Sequence, residues 1–226
     1  IDRLKNKYST GVNESNSENF NENLKVINNQ IKQIENLVNE FSDFARMPKP
    51  ILRKNNLVDI INENIKLLSE LDKSIDIVFV KTSEKIFLEC DQEQLSRVFL
   101  NLIKNSIESI QQKSENISNF NKKITIELDH NNSQISITIK DNGIGFENFK
   151  ENIKDVLNPY ITSKKNGTGL GLSIVNKIIN DHDGEIFFKS TSNGAKIEIN
   201  LRKQRFECNQ VLLIGLPIPE EQKHFG

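Results

Sequence analysis

The chain has 226 residues, 36% hydrophobic and 27% charged, enough to bury the core of one domain plus a smaller element. Its formal net charge of −1 gives no electrostatic case for nucleic acid or an anionic membrane surface, and no apolar run approaches the roughly 20 residues of a membrane-spanning helix. Cys90 and Cys208 lie far apart and in no ligand spacing, which reads as two unpaired thiols in a reducing compartment.

Ile1, Leu4 and Tyr8 sit three and four apart, on one helical face, so the opening residues are expected to be the tail of a helix. The polar stretch 9–21, "STGVNESNSENFN", has almost no periodicity and is expected to be a loop. A long helix is expected over 22–46. Leu24, Ile27, Ile31, Ile34, Val38, Phe41 and Ala45 alternate spacings of three and four, which is an a/d seam for packing helix on helix. Leu37 and Phe44 widen the stripe as a bundle helix requires, and Pro48 and Pro50 end it.

After the prolines, 56–70 alternates as an amphipathic helix. "IDIVFV" and "KIFLEC" read as two strands joined by a polar turn. "DQEQLSRVFLNLIKNSIESIQQK" is a strong helix with Asp91 as N-cap. "KITIEL" and "QISITIKD" form a hairpin, with Ile135, Ile137 and Ile139 on one face. A loop-rich region covers 142–167, a helix follows over about 170–181, and "EIFFKS" and "AKIEINL" close the domain as a second hairpin. The mixture predicts an α+β sandwich, one sheet with helices on one face. The stretch 204–226 departs from the pattern, and its role is open.

Three patterns carry chemistry. "GTGLGL" (167–172) opens the helix at 170, where backbone N–H groups can receive a phosphate. Its glycines are one place out for a dinucleotide fingerprint, and no Lys follows as in a P-loop. "DNGIGF" (141–146) ends a strand, where a carboxylate, which only accepts hydrogen bonds, selects adenine with its exocyclic N–H over guanine with its carbonyl. There the glycines would let a flat ring approach the backbone. Asn101 and Asn105, four apart on one helical face, offer neutral oxygens of the kind Mg²⁺ accepts beside nucleotide phosphates. Lys104 lies near enough in sequence to approach a phosphate.

An asparagine helix, then D-x-G-x-G, then G-x-G-x-G is the order of the ATP-binding fold shared by histidine kinases, gyrase, the heat-shock chaperone ATPase and mismatch-repair ATPases. Over roughly 1–203 the chain resembles a sensor histidine kinase of two-component signalling, in particular the nitrogen-regulation (NtrY-like) sensors. "DQEQLSRVFLNLIKNSIES" resembles its N box, "DNGIGF" its G1 box, "GTGLGLSIV" its G2 box and "NPYITSKKNG" its F box and ATP lid. "LVNEFSDFARMPKP" is similar to the end of the second dimerisation helix. The ATPase relatives carry Glu where Asn101 stands, so the resemblance favours phosphoryl transfer over hydrolysis.

The fold implied is an incomplete helical segment of four-helix-bundle type over 1–48, then a two-layer α/β sandwich of the Bergerat (GHKL) type over 49–203. ATP and Mg²⁺ are the implied cofactors. Asn105 would hold Mg²⁺, Asn101 would support the phosphate side beside Lys104, and both would be catalytic. Asp141 would fix the adenine, with Gly143, Ile144 and Gly145 around it. Tyr160 would gate a lid that includes Thr162, with Lys164 and Lys165 neutralising the triphosphate. Gly167, Thr168, Gly169, Leu170, Gly171 and Leu172 would close over it. The implied partners are a second copy through helix 22–46 and a response-regulator receiver domain, with no nucleic acid and no direct membrane contact. The implied location is cytoplasmic, in a parent of a kind often anchored in the inner membrane.

His130, His182 and His224 are the histidines, and none has the acidic neighbour of a phosphoacceptor on a first dimerisation helix. Each is expected to be a surface or structural residue. The acceptor is then expected before Ile1, leaving a fragment that binds Mg-ATP without autophosphorylating and dimerises weakly. The alternatives are a non-catalytic ATP-binding scaffold, a chaperone- or repair-type ATPase, and an anti-sigma-type serine kinase, which would leave the heptad helix unexplained.

Overall fold

The fold is a computed structural model describing residues 14–115, 117, 119–146, 153–159, 161–162 and 167–203. Helix α1 (Glu14–Ala45) runs for 32 residues. It starts earlier than its apolar pattern does, because 14–21, expected as a loop, is helical. Once nucleated, a helix gains one hydrogen bond per residue added. The missing periodicity over that stretch says where a face is buried, not whether the backbone coils.

α1 divides its apolar residues between two directions. Leu37, Phe44 and, just beyond its end, Met47 pack against the main core. Of the a/d positions, Leu24 is buried, whereas Ile27, Ile31, Ile34, Val38 and Phe41 remain 43–59% exposed. The last turn of α1 is tied to the domain by Arg97, which pairs with Asp43 at 3.3 Å, and the chain just beyond it by Gln94, whose Nε2 donates to the Pro48 carbonyl at 3.0 Å.

The domain then follows as β1 (Arg53–Asn56), α2 (Leu57–Ser69), β2 (Asp76–Lys81), β3 (Phe87–Cys90), α3 (Gln92–Ser114), β4 (Lys123–His130), β5 (Gln134–Asp141), a 3₁₀ turn (Ile153–Leu157), α4 (Gly171–Asp181), β6 (Glu185–Thr191) and β7 (Gly194–Arg202). Asn56 and Asp91 cap α2 and α3, accepting from the Val58 and Gln94 amides.

Five strands form one sheet in the order β2-β4-β5-β7-β6, parallel between β2 and β4 and antiparallel elsewhere. Ile126, Ile139, Ile197 and Phe188 lie in register as one row across it. That face is buried with the apolar sides of α2, α3 and α4. The other face is polar and laced by ion pairs such as Lys140–Glu127 and Lys189–Glu198, both at 2.6 Å.

The single-sheet expectation needs a correction. β2 and β3 do not pair with each other; β3 pairs with β1 in a separate two-stranded sheet. Parallel strands need a long crossover, and the chain through β3 and α3 provides it, returning β4 alongside β2. β1, "RKNN", has no apolar residue to announce a strand. It is held by its ladder with β3 and by Asn56, whose Oδ1 also accepts from the Ile86 amide at 3.0 Å. Among the described residues no helix is long and apolar enough to cross a membrane. The stretch 204–226 lies outside the described residues.

Candidate functional site

Helix α3 is the spine of the site. From Asn101 to Lys113 it meets each glycine motif in turn, over about 18 Å at 1.5 Å per residue. At its middle, Ser106 Oγ donates to Asp141 Oδ2 at 3.1 Å. Asp141 ends β5, and its Oδ1 takes the Gly143 amide at 2.9 Å and the Ala195 amide at 3.4 Å. The carboxylate is 9% exposed. Burial pushes it above the usual carboxylate range, and these donors with nearby Lys113 only partly offset that. Oδ1 is occupied by backbone donors, so Oδ2 is the oxygen with accepting capacity left for a ligand.

The glycines after Asp141 have a reason the sequence did not show. A Cβ on Gly143 would stand 2.2 Å from Ser109 Oγ and 2.8 Å from the Ile110 nitrogen, inside the backbone of α3. Gly145 has φ +69° and lies against Gly194, where a Cβ would come 2.8 Å from the carbonyl oxygen. The loop is pressed between α3 and the β6–β7 turn, so protein packing already requires these glycines before any ring is considered. Ile144 is pinned by its amide, which donates to Ser109 Oγ at 3.0 Å. Phe146 meets the Phe188 ring edge-on at 5.8 Å.

The second glycine motif lies nearer the start of α3. Asn101 Nδ2 donates to the Arg97 carbonyl at 2.8 Å, and its Oδ1 is 3.0 Å from where a Cβ on Gly171 would be. Gly169 takes φ +72°, and the fully buried Leu170 anchors the loop. Leu172 packs against the core edge. α4 begins at Gly171 with no side-chain cap and no acidic residue in its first turn. Among the described residues no side chain caps this end, unlike those of α2 and α3, and it carries the partial positive charge of a helix N-terminus.

Asn105 lies one turn beyond Asn101 on the same face of α3 and is half-buried. Neutral amide oxygens in this position suit Mg²⁺, which takes most of its charge compensation from phosphates. Among the described residues no group of three or more His, Cys, Asp or Glu side chains offers an alternative metal centre.

Not every expected residue is brought in. Lys104 is exposed and extends toward Glu108 at 4.0 Å, so the structure does not direct it to the glycine loop. Thr162 is exposed, and Tyr160, Lys164 and Lys165 lie outside the described residues. Gly167 and Thr168 are placed, and the Thr168 hydroxyl donates to Glu40 Oε2 of α1.

Ser106, Ser109, Lys113 and Glu40 were missed by sequence reasoning. The first three had a signal: at spacings of three and four they form a polar stripe on the inner side of an amphipathic helix. Glu40 had none. His182 is structural, as expected. It is buried, its Nε2 accepts the Asp91 amide at 3.0 Å, and its Nδ1 bonds the Ile178 carbonyl at 2.8 Å, tying the start of α3 to the end of α4. Cys90 is a free, buried thiol that burial pushes up to about 11, so it is no nucleophile.

The comparisons with known proteins converge on one family. The profile of the family described as histidine kinase-, DNA gyrase B-, and HSP90-like ATPase matches residues 90–205. The chain belongs to that family. A Rickettsia prowazekii protein named as an NtrY-like sensor histidine kinase is 32% identical over 199 residues, covering 88% of this chain and 32% of that protein. The nitrogen regulation protein NtrY of Azorhizobium caulinodans is 30% identical, covering 90% of this chain and 26% of that one. This ATPase-family chain thus spans a third or less of the length of these two relatives. The catalytic domain of the histidine kinase ThkA has a TM-score of 0.57 at 29% identity, covering 67% of this chain and 95% of that one. The domain is accordingly of the histidine-kinase ATPase type, preceded by a helical segment.

Proposed function

We propose that this chain is the ATP-binding catalytic portion of a sensor histidine kinase, which transfers the γ-phosphoryl of ATP to a histidine outside this chain for relay to a response-regulator aspartate. The observation that carries the reading is the start of α4, without a side-chain cap, lying beside Asn101 of α3, with the buried Asp141 carboxylate at the end of β5 bonded to Ser106 of the same helix. A base acceptor and a phosphate-receiving helix end are thereby held on one rigid element. Asp141 reads the adenine, the glycine loop and the first amides of α4 receive the phosphates, and Asn101 and Asn105 face them. Mg²⁺, when bound, screens charge on the transferring phosphoryl group, and Asn105 is the residue to hold it. The protein's share is positioning and electrostatics. His130 and His182 are unsuited as acceptors: His130 Nδ1 lies 2.9 Å from Lys203 Nζ, and His182 is buried.

Calorimetry with and without Mg²⁺ tests the reading. ATP should bind the wild-type chain more tightly with Mg²⁺, and Asn105→Ala should remove most of that gain while leaving Mg-free binding intact. Incubation with γ-labelled ATP should leave no acid-labile label on the chain. A chain that binds no adenine nucleotide would instead favour a scaffold role.

The a/d seam of α1, exposed from Ile27 to Phe41, supports a second copy of the chain as partner, since helices bury such seams against one another. The expected result is self-association that rises with concentration in sedimentation and is lost in Ile34→Glu. A wild-type chain that stays monomeric throughout would count against it. A response-regulator receiver domain is the proposed phosphoryl acceptor downstream. A histidine kinase solved in complex with its response regulator, TrrA, shares this fold, with a TM-score of 0.66 at 22% identity, covering 88% of this chain and 55% of that one.

A further inference from the structure

The three hydrogens of the Lys113 ammonium are all committed to backbone. Nζ lies 2.9 Å from the Asn142 carbonyl oxygen, 3.0 Å from that of Gly143 and 3.0 Å from that of Asn193. An ammonium has three donors and no acceptor, so this set uses it fully. The Phe120 ring stands 5.3 Å from the charge.

The carbonyls it gathers belong to two segments far apart in sequence. Asn142 and Gly143 follow Asp141 at the end of β5. Asn193 is the last residue of the β6–β7 turn, directly before Gly194 and Ala195. Gly194 is stacked so closely on Asp141 that a Cβ there would lie 2.2 Å from its carbonyl oxygen. Ala195 supplies one of the two amides on Asp141 Oδ1, and at 3.4 Å it is the weaker. That contact depends on the β6–β7 turn being held against the end of β5, where the β5–β7 ladder reaches Lys140 and Lys196. Lys113 bonds the backbone of both segments beyond that ladder.

We propose that Lys113 is a positioning residue for base selection: by drawing the end of β5 and the β6–β7 turn onto one ammonium, it holds the Asp141 carboxylate in the orientation that accepts from adenine and rejects guanine. This rests on the reading of Asp141 as the adenine acceptor. The cation also lies close enough to favour the ionised, acceptor-only form of that carboxylate.

The test compares ATP and GTP affinities of the 226-residue chain by competition calorimetry, for wild type, Lys113→Met and Asp141→Asn. Lys113→Met should weaken ATP about tenfold, the effect of losing roughly one hydrogen bond's worth of alignment, with GTP unchanged, so that the ATP/GTP ratio falls by the same factor. Lys113→Gln, which keeps an N–H donor for the carbonyls, gives the same readout should Lys113→Met not fold. The proposal is overturned if the ratio is unchanged, whether both nucleotides bind as before or both weaken equally. If Asp141→Asn leaves the ratio untouched, the reading of Asp141 itself fails, and the inference with it.

Discussion

Asp141→Asn is expected to abolish most ATP affinity while making the nucleotide-free domain more stable at neutral pH. The two effects separate because the carboxylate is held for its ligand and not for the fold. Its Oδ1 is fixed by the Gly143 and Ala195 amides. An asparagine must therefore keep its oxygen there and turn its NH₂ toward Ser106 and the ligand. A donor then faces the adenine amino donor, and losing a hydrogen bond to a charged group costs about 1.5–3 kcal/mol, roughly 10- to 100-fold in affinity.

The stability effect has the opposite sign. Burial raises the folded-state pKa of Asp141 above its ordinary value. The folded state therefore holds this proton over a range where the unfolded chain releases it. Stability is lost as pH rises from the ordinary carboxylate value, about 3.9, through the raised folded value. Asparagine carries no such penalty, and its NH₂ can donate to Ser106 Oγ. The melting temperature of Asp141→Asn should exceed wild type at pH 7, and the difference should vanish below pH of about 4. A lower melting temperature at pH 7 would show that the carboxylate is a net stabiliser.

The second large effect distinguishes two glycines that look alike in the motifs. Gly143→Ala should destabilise the domain severely, because its Cβ would fall 2.6 Å from the Ser109 carbonyl carbon and 2.8 Å from the Ile110 nitrogen. Helix backbone cannot step aside as a side chain can. The cost should reach about 3 kcal/mol, the upper end of ordinary overpacking, or a fall in melting temperature of roughly 6–12 °C for a domain of this size. Gly171→Ala should do the reverse. Among the described residues its Cβ meets only the Asn101 carboxamide, 3.0 Å from Oδ1, and alanine favours a helix over glycine by up to about 1 kcal/mol. Its melting temperature should hold or rise, while the displaced Asn101 costs affinity for Mg-ATP. Paired melts and calorimetry check this; equal destabilisation by both substitutions would refute the packing argument.

What the sequence determined by itself was whatever is written in neighbouring residues. The heptad of α1, the Asp91 cap, the β4–β5 and β6–β7 hairpins and the start of α4 were legible because periodicity, caps and turns act over a few positions. The order of the motifs placed the chain in its family, and the profile match confirmed it. The start of α1 and the strand β1 were not legible, since neither has an apolar pattern and both depend on the chain they adjoin.

The tertiary structure decided what depends on distant segments meeting. It paired β2 in parallel with β4 and sent β3 to β1. It turned one side of α1 onto the domain, through Leu37, Phe44 and the Glu40–Thr168 bond, and left the heptad seam exposed from Ile27 to Phe41. It showed that Gly143 is demanded by the backbone of α3, and that Lys104 extends to Glu108 while Lys113 gathers three carbonyls. The physical reason is the same in each case: a residue's type limits which bonds it can make, and only the packing of the sheet against α3 determines which partners come within reach.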